Sequence, residues 1–214
     1  MTHWFTSDLH LGHENVALVH RGARSVEQHD QAIVSNLLRC LQSGDDLYIL
    51  GDLSLGRKRD VDHAVTLLEP VSRRVGYKHM HLIRGNHDPK ARWATLRLAE
   101  VFSTITDSMV LQVNDMPRPL TLTHYPSTQV ANMVARTGVP AGCSSNAFDP
   151  KVLYGKALTR DETHILLYGH THDHAPTRPE WGSLDINVGV DAWGYQPVSL
   201  DQIRAHIATK GTRA

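Results

Sequence analysis

Leu82-Ile83-Arg84-Gly85-Asn86-His87-Asp88-Pro89 sets an amide, an imidazole and a carboxylate side by side, directly after an apolar run. Packing alone has no use for that order, since each group costs free energy to bury without a partner. Four other clusters share the layout. Asp8 and His10 follow Trp4-Phe5, and Asp52 follows Leu47-Tyr48-Ile49-Leu50. His124 follows Leu120-Thr121-Leu122-Thr123, and His170 and His172 follow Ile165-Leu166-Leu167-Tyr168. Each strand-like run stops at a side chain that can ligate a metal. Active sites built on the carboxyl ends of strands have this form. Seven ligands of these types suit two divalent ions about 3.5–4 Å apart, bridged by one Asp and one hydroxide. Histidine mixed with Asp and Asn points to Mn, Fe, Co, Ni or Zn, and an Asn amide oxygen is a hard, neutral ligand that favours Mn²⁺ or Fe²⁺.

Taken singly, each cluster has a plainer use. A strand-end Asp is most often a helix cap, and Asp88 before Pro89 reads as an N-cap with proline at the first helical position. His174 is expected to face solvent. Arg57-Lys58-Arg59 reads as a solvated basic run, and Trp181 and Trp193 as packing residues. Cys40 falls on a predicted apolar helix face and Cys143 in a polar loop. Two cysteines provide neither a disulfide framework nor a cysteine-based zinc site. What separates the five clusters from coincidence is their shared position at the ends of strand-like runs.

The elements that must hold them follow from periodicity and turn signals. A strand over 2–6 leads to the loop Ser7–Asn15; a helix starts at Ser25, with Gln28 completing a capping box, and stops by Gly44. Asp46–Leu50 is a second strand. Val61, Ala64, Val65 and Leu68 mark a helix stopped by Pro70. His79–Ile83 is a third strand, and a helix beyond Pro89 reaches about Glu100, burying Trp93 and Leu96. Met109–Val113 and Leu120–Thr123 form a hairpin. His164–Tyr168 and Leu184–Val188 are further strands, and a last helix starts at Ser199. Residues 126–163 read as a loop insertion beside the site, and 209–214 as a frayed tail. The pattern is α/β, one domain over 1–214.

With 214 residues, 41% apolar and 21% charged, the chain can bury a substantial core. Zero formal net charge gives no global attraction to nucleic acid or to membranes, and no dedicated nucleic-acid-binding segment stands out. No apolar run approaches a membrane span, and Asp8 leaves no room for a leader, so the expected location is cytoplasmic. Nothing in the pattern sets an oligomeric state. Fifteen histidines are the compositional outlier.

The clusters together resemble the calcineurin-like metallophosphoesterases: D-x-H at Asp8 and His10, G-D at Asp52, G-N-H-D at Gly85–Asp88, an isolated His124, and G-H-x-H at His170 and His172. Thr6–His13 and Asn187–Asp191 are similar to the opening and closing segments of compact stand-alone bacterial and phage members. The resemblance implies a four-layer sandwich of two mixed β-sheets flanked by α-helices. It implies that Asp8, His10 and His172 hold one metal, that Asn86, His124 and His170 hold the other, and that Asp52 bridges them. His87 would then contact the phosphoryl group or protonate the leaving oxygen, and Asp88 could orient its ring. His13, three residues past His10, could face the phosphate. The implied activity is hydrolysis of phosphodiesters, small or cyclic nucleotides first, by a metal-bridging hydroxide, with Mn²⁺ the favoured ion. A phosphomonoesterase or protein phosphatase is the alternative, although Gly51–Arg57 departs from the G-D-x-V-D-R-G of the protein-phosphatase branch. A non-catalytic scaffold would be expected to have lost ligands, and none is missing.

Overall fold

The computed structural model describes residues 1–114, 116–127, 163–177 and 184–211. Its strands in chain order are β1 His3–Thr6, β2 Asp46–Ile49, β3 Met80–Ile83, β4 Thr104–Thr106, β5 Ser108–Leu111, β6 Leu120–Thr123, β7 Ile165–Tyr168, β8 Asp185–Asn187 and β9 Val198–Ser199. They form two mixed sheets, ordered β4-β3-β2-β1-β9 and β5-β6-β7-β8. Strands β1 to β4 are parallel, with β9 antiparallel beside β1. In the second sheet β6, β7 and β8 are parallel and β5 is antiparallel. A parallel bridge from Ser7 to Gly189, with Val190 N–H donating to Ser7 O at 3.1 Å, ties the ends of β1 and β8 together. The carboxyl ends of both sheets therefore meet.

Period-2 alternation splits the first sheet's side chains between two cores. Leu47, Ile49, Met80 and Leu82 pack under helices α1 (Val26–Cys40), α2 (Lys58–Val75) and α3 (Arg92–Leu98). Phe5, Tyr48, Leu50 and Ile83 face the other sheet, against Leu120, Leu122, Ile165, Leu167 and Ile186. Helix α4 (Leu200–Gly211) adds Leu200 and Ile203 to this second core. Two mixed sheets flanked by helices is the architecture that the family resemblance implied. Among the described residues, no helix is long and apolar enough to cross a membrane.

Several local expectations give way to packing. Helix α2 does not stop at Pro70 but runs on to Val75, because Val71 and Val75 continue its apolar stripe and are 0% and 2% exposed. Their burial outweighs the ~3 kcal/mol cost of an internal proline. Helix α3 begins at Arg92, with Ala91 and not Asp88 at its N-cap, and it ends at Leu98. Ala94 and Leu98 are its buried residues, whereas Trp93 and Leu96 are 39% and 62% exposed. Cys40, expected in the core, is only half-buried at the end of α1. Arg57-Lys58-Arg59 opens α2, where Arg57 and Lys58 pair with Asp60 and Asp62. The last helix extends through Thr209–Gly211. Strands β4 and β9 and a π-helical turn over Asn15–His20 add to the expected list. The expected insertion at 126–163 falls outside the described residues apart from 126, 127 and 163, as do Trp181, Cys143 and the tail beyond 211.

Candidate metal centre

Every expected ligand lies just beyond a strand end, and five of the seven sit on a backbone forced into an uncommon shape. Asp8, His10, Asp52, His170 and His172 have φ values of 59°, 48°, 54°, 72° and 50°. The left-handed region costs non-glycine residues on the order of 1–3 kcal/mol each, and such strain gathers at functional sites. Between the strained residues the chain is nailed down: Leu9 and Leu11 are fully buried in the helix-side core. Backbone bonds from Asp8 N to Gly51 O (3.0 Å), His10 N to Asp52 O (3.0 Å) and Leu11 N to Leu53 O (2.7 Å) lock the β1 loop to the β2 loop. The close approach also dictates residue type. A Cβ on Gly85 would lie 2.2 Å from Asp52 Oδ1, and one on Gly51, at φ +90°, 2.5 Å from Gly85 N.

The ligand-type atoms form two groups, Asp8–His10–His172 and Asp52–His124–His170, in each of which they lie within 4.8 Å of one another. Asn86 belongs with the second group, its Oδ1 lying 3.0 Å from His124 Nε2. Asp52 Oδ2 stands between the groups, 3.4 Å from His124 Nε2 and 3.8 Å from His10 Nε2. Other close pairs are His10 Nε2 with His172 Nε2 and His124 Nε2 with His170 Nδ1, both at 3.1 Å. All these residues are buried except His172, which is partly so, and Asn86, which is exposed.

A cation fits this arrangement on chemical grounds. His124 Nδ1 donates to Leu50 O at 2.8 Å, since a carbonyl can only accept, so the Nε2 lone pair is left facing Asn86 Oδ1 and Asp52 Oδ2. His170 Nε2 is buried without a partner. Oxygen and nitrogen lone pairs converging at 3.0–3.4 Å repel unless a proton or a metal ion lies between them. The protein's own field says the same. Burial works to lower the His124 pKa, but the Asp52 and Asp8 carboxylates push it up to about 9, so without metal a proton is held there. Burial and the neighbouring His124 charge press His170 down to about 3.

His87 and His13 stand on the open side. The His87 amide donates to Asp52 Oδ1 at 2.9 Å, while its imidazole is 36% exposed, with Nε2 4.0 Å from Asp52 Oδ2. The His13 ring lies 5.3 Å from that of His10 and 6.3 Å from that of His87. His13 Nδ1 accepts from Val16 N at 3.3 Å, which places the ring proton on Nε2. Asp88 does not orient His87. Its carboxylate accepts from the amides of Asp52 (2.8 Å), Leu53 (3.1 Å) and Gly85 (2.8 Å), clamping the β2 and β3 turns together. His174 is exposed, as expected.

Arg21 and Asp191 enter without forewarning. Asp191 Oδ2 lies 3.1 Å from His172 Nδ1, and Arg21 binds both Asp191 oxygens at 2.8 Å. In the sequence Asp191 is only the end of a family-like segment. Arg21 sits in a His-Arg-Gly turn with no local signal, and only the fold brings it to the centre.

The calcineurin-like phosphoesterase family model matches residues 1–174, and this chain belongs to that family. It is a hydrolase of phosphoester bonds, from a family whose chemistry implies divalent metal ions. The gene 66 protein of Mycobacterium phage L5 is 32% identical over 206 residues, spanning 94% of this chain and 91% of that protein. The gene 66 protein of Mycobacterium phage D29 is 30% identical over 213 residues, spanning 94% and 93%. The fold is also similar to the crystal structure of AQ665 from Aquifex aeolicus, a protein of unknown function, with TM-score 0.62, 24% identity, and 95% of this chain and 98% of that one covered.

Proposed function

We propose that the chain hydrolyses phosphodiesters, with small or cyclic nucleotides as first candidates, at a centre for two divalent ions. Asp8, His10 and His172 would hold one ion, Asn86, His124 and His170 the other, and Asp52 both. The observation that carries this is the place of Asp52 Oδ2, within 3.8 Å of a ligand nitrogen of each group. Bound ions would supply Lewis acidity, polarising the phosphoryl oxygens and acidifying a water. The Asn86 carboxamide, a hard neutral oxygen, favours Mn²⁺.

The chain's own residues supply the rest. His87, fixed through its amide and exposed through its ring, is placed to protonate the leaving oxygen. His13 can donate its Nε2 proton to a phosphoryl oxygen. Two imidazoles on the open side suit a diester, a monoanion with a poor leaving group, better than a dianionic monoester. Arg57 and Lys58 are already paired within α2.

Turnover of an aryl phosphodiester, an aryl monoester and 2′,3′- and 3′,5′-cyclic nucleotides, each with Mn²⁺-reconstituted protein, tests this. The diesters should be cleaved at least tenfold faster in kcat/KM than the monoester. A monoester preference of that size would make the enzyme a phosphomonoesterase instead.

A further inference from the structure

Arg21 is 2% exposed in its side chain, and all its N–H donors are used. Nε and Nη2 each donate to Asp191 at 2.8 Å; Nη2 also reaches Asp8 O at 2.7 Å. Nη1 reaches Leu9 O at 3.2 Å and His29 Nε2 at 2.9 Å. The network continues outward. His29 Nδ1 meets Asp30 Oδ1 at 2.8 Å, and the Asp30 carboxylate takes the Gly12 amide at 2.9 Å and His63 Nε2 at 2.7 Å. The Arg21 amide itself donates to Val16 O at 2.9 Å, closing the wide π turn, a distortion often found at functional sites.

Two things follow for the first ligand group. Asp191 can only accept, so His172 must carry a proton on Nδ1, which leaves Nε2 bare on the side of His10 and Asp8. Meanwhile the guanidinium grips the carbonyl of Asp8, one of the strained residues, and of Leu9 beside it. The second group has no such support from Arg21. Its His124 is oriented by Leu50 O instead.

We infer that the Arg21–Asp191 pair is a positioning device for the Asp8–His10–His172 site alone, and that it sets that site's metal affinity separately from the other's. This rests on the two-ion centre proposed above. A carboxylate behind a ligating imidazole is typically worth 10–100-fold in metal affinity. Lysine cannot replace Arg21, because a point ammonium cannot span two carboxylate oxygens and two carbonyls.

Metal-free protein titrated with Mn²⁺ in a calorimeter gives the readout. The unmodified chain should bind two ions. Asp191→Asn and Arg21→Lys should each weaken one ion 10–100-fold and leave the other unchanged. Equal weakening of both ions, or of neither, overturns the inference. Failure of the unmodified chain to bind two ions overturns the centre itself. Should the variants not fold, ring-nitrogen NMR of the unmodified Zn²⁺-loaded protein decides. The His172 proton should be on Nδ1 and shifted downfield by Asp191, and a proton on Nε2 overturns the inference.

Discussion

Asn86 and His87 leave the same turn in different directions, and the hydrogen bonds say why. Asp52 Oδ1 holds the His87 backbone amide, so this ring is positioned from its main chain and needs no ligand role to stay in place. Asn86 presents its carboxamide oxygen to His124. Removing the two side chains should therefore give different defects. His87→Ala should keep both metal ions per chain and lose roughly 10²–10⁴-fold in kcat, the range of a general acid. The loss should be largest for diesters with alkyl or ribose leaving groups, strong bases that need a proton, and smallest for a nitrophenyl diester. Metal analysis and kinetics on the two substrates check this. Equal losses would mark His87 as a phosphate donor, and metal loss in step with activity would make it a structural support.

At the scale of elements, the centre depends on how closely two strand ends approach. The β2 turn at Gly51-Asp52 and the β3 turn at Gly85 are in contact, with Asp88 donating no proton but accepting one from each of three amides across them. Gly85→Ala would drive a methyl into Asp52 Oδ1 at 2.2 Å, with Asp52 N 2.7 Å away, so neither turn can yield by a side-chain rotation. It should lower stability by about 1–3 kcal/mol, as overpacking does, and also release the ions. Denaturant unfolding with and without Mn²⁺ measures both. A variant that keeps two ions per chain would show that the turns can part without cost to the site. The strand ends and their ligand-type residues were legible because apolar runs and metal-binding side chains are local signals. Asp88 was misread for a physical reason. The Asp-Pro pair is a helix-start pattern, yet three backbone amides from two turns compete for the same carboxylate and win. Pro70 was misread likewise, because the stop signal is local and the buried stripe that overrides it is not. Arg21 and Asp191 were out of reach, since their partnership spans 170 positions of sequence.

For the whole molecule, the relevant ledger is one of buried carboxylates that hold loops, from Asp30 behind the β1 loop of the metal centre to Asp45 at the far end of the sheet. Asp30, Asp45 and Asp60 are 2%, 5% and 6% exposed. Burial raises the pKa of each, but hydrogen bonds outweigh it, so all three end below the ordinary value of 3.8. Asp45 lies at the opposite end of the first sheet from the ligands. It accepts from Thr2 N at 2.8 Å, Gln42 N at 3.0 Å and Trp4 Nε1 at 3.2 Å, and so ties the chain's start and the end of the α1 loop to the β1–β2 edge. A depressed folded-state pKa means that the folded chain binds fewer protons than the unfolded one below pH 3.8. The stability from Asp45 is therefore complete above that pH and drains away as pH falls through the folded-state value. Asp45→Asn removes the charge and offers one acceptor where the carboxylate has two. At pH 7 it should cost about 1–3 kcal/mol, the range for hydrogen bonds to a charged group and for a buried partner left unmade. The gap between variant and unmodified chain should then narrow as pH drops below about 4, because the unmodified chain loses by protonation what the variant lacks already. Urea unfolding of the metal-free proteins at pH 7 and at successively lower pH measures that gap, with the other titrating groups cancelling between the two chains. A gap that stays constant to pH 3 would mean that Asp45 contributes through packing and not through its charge.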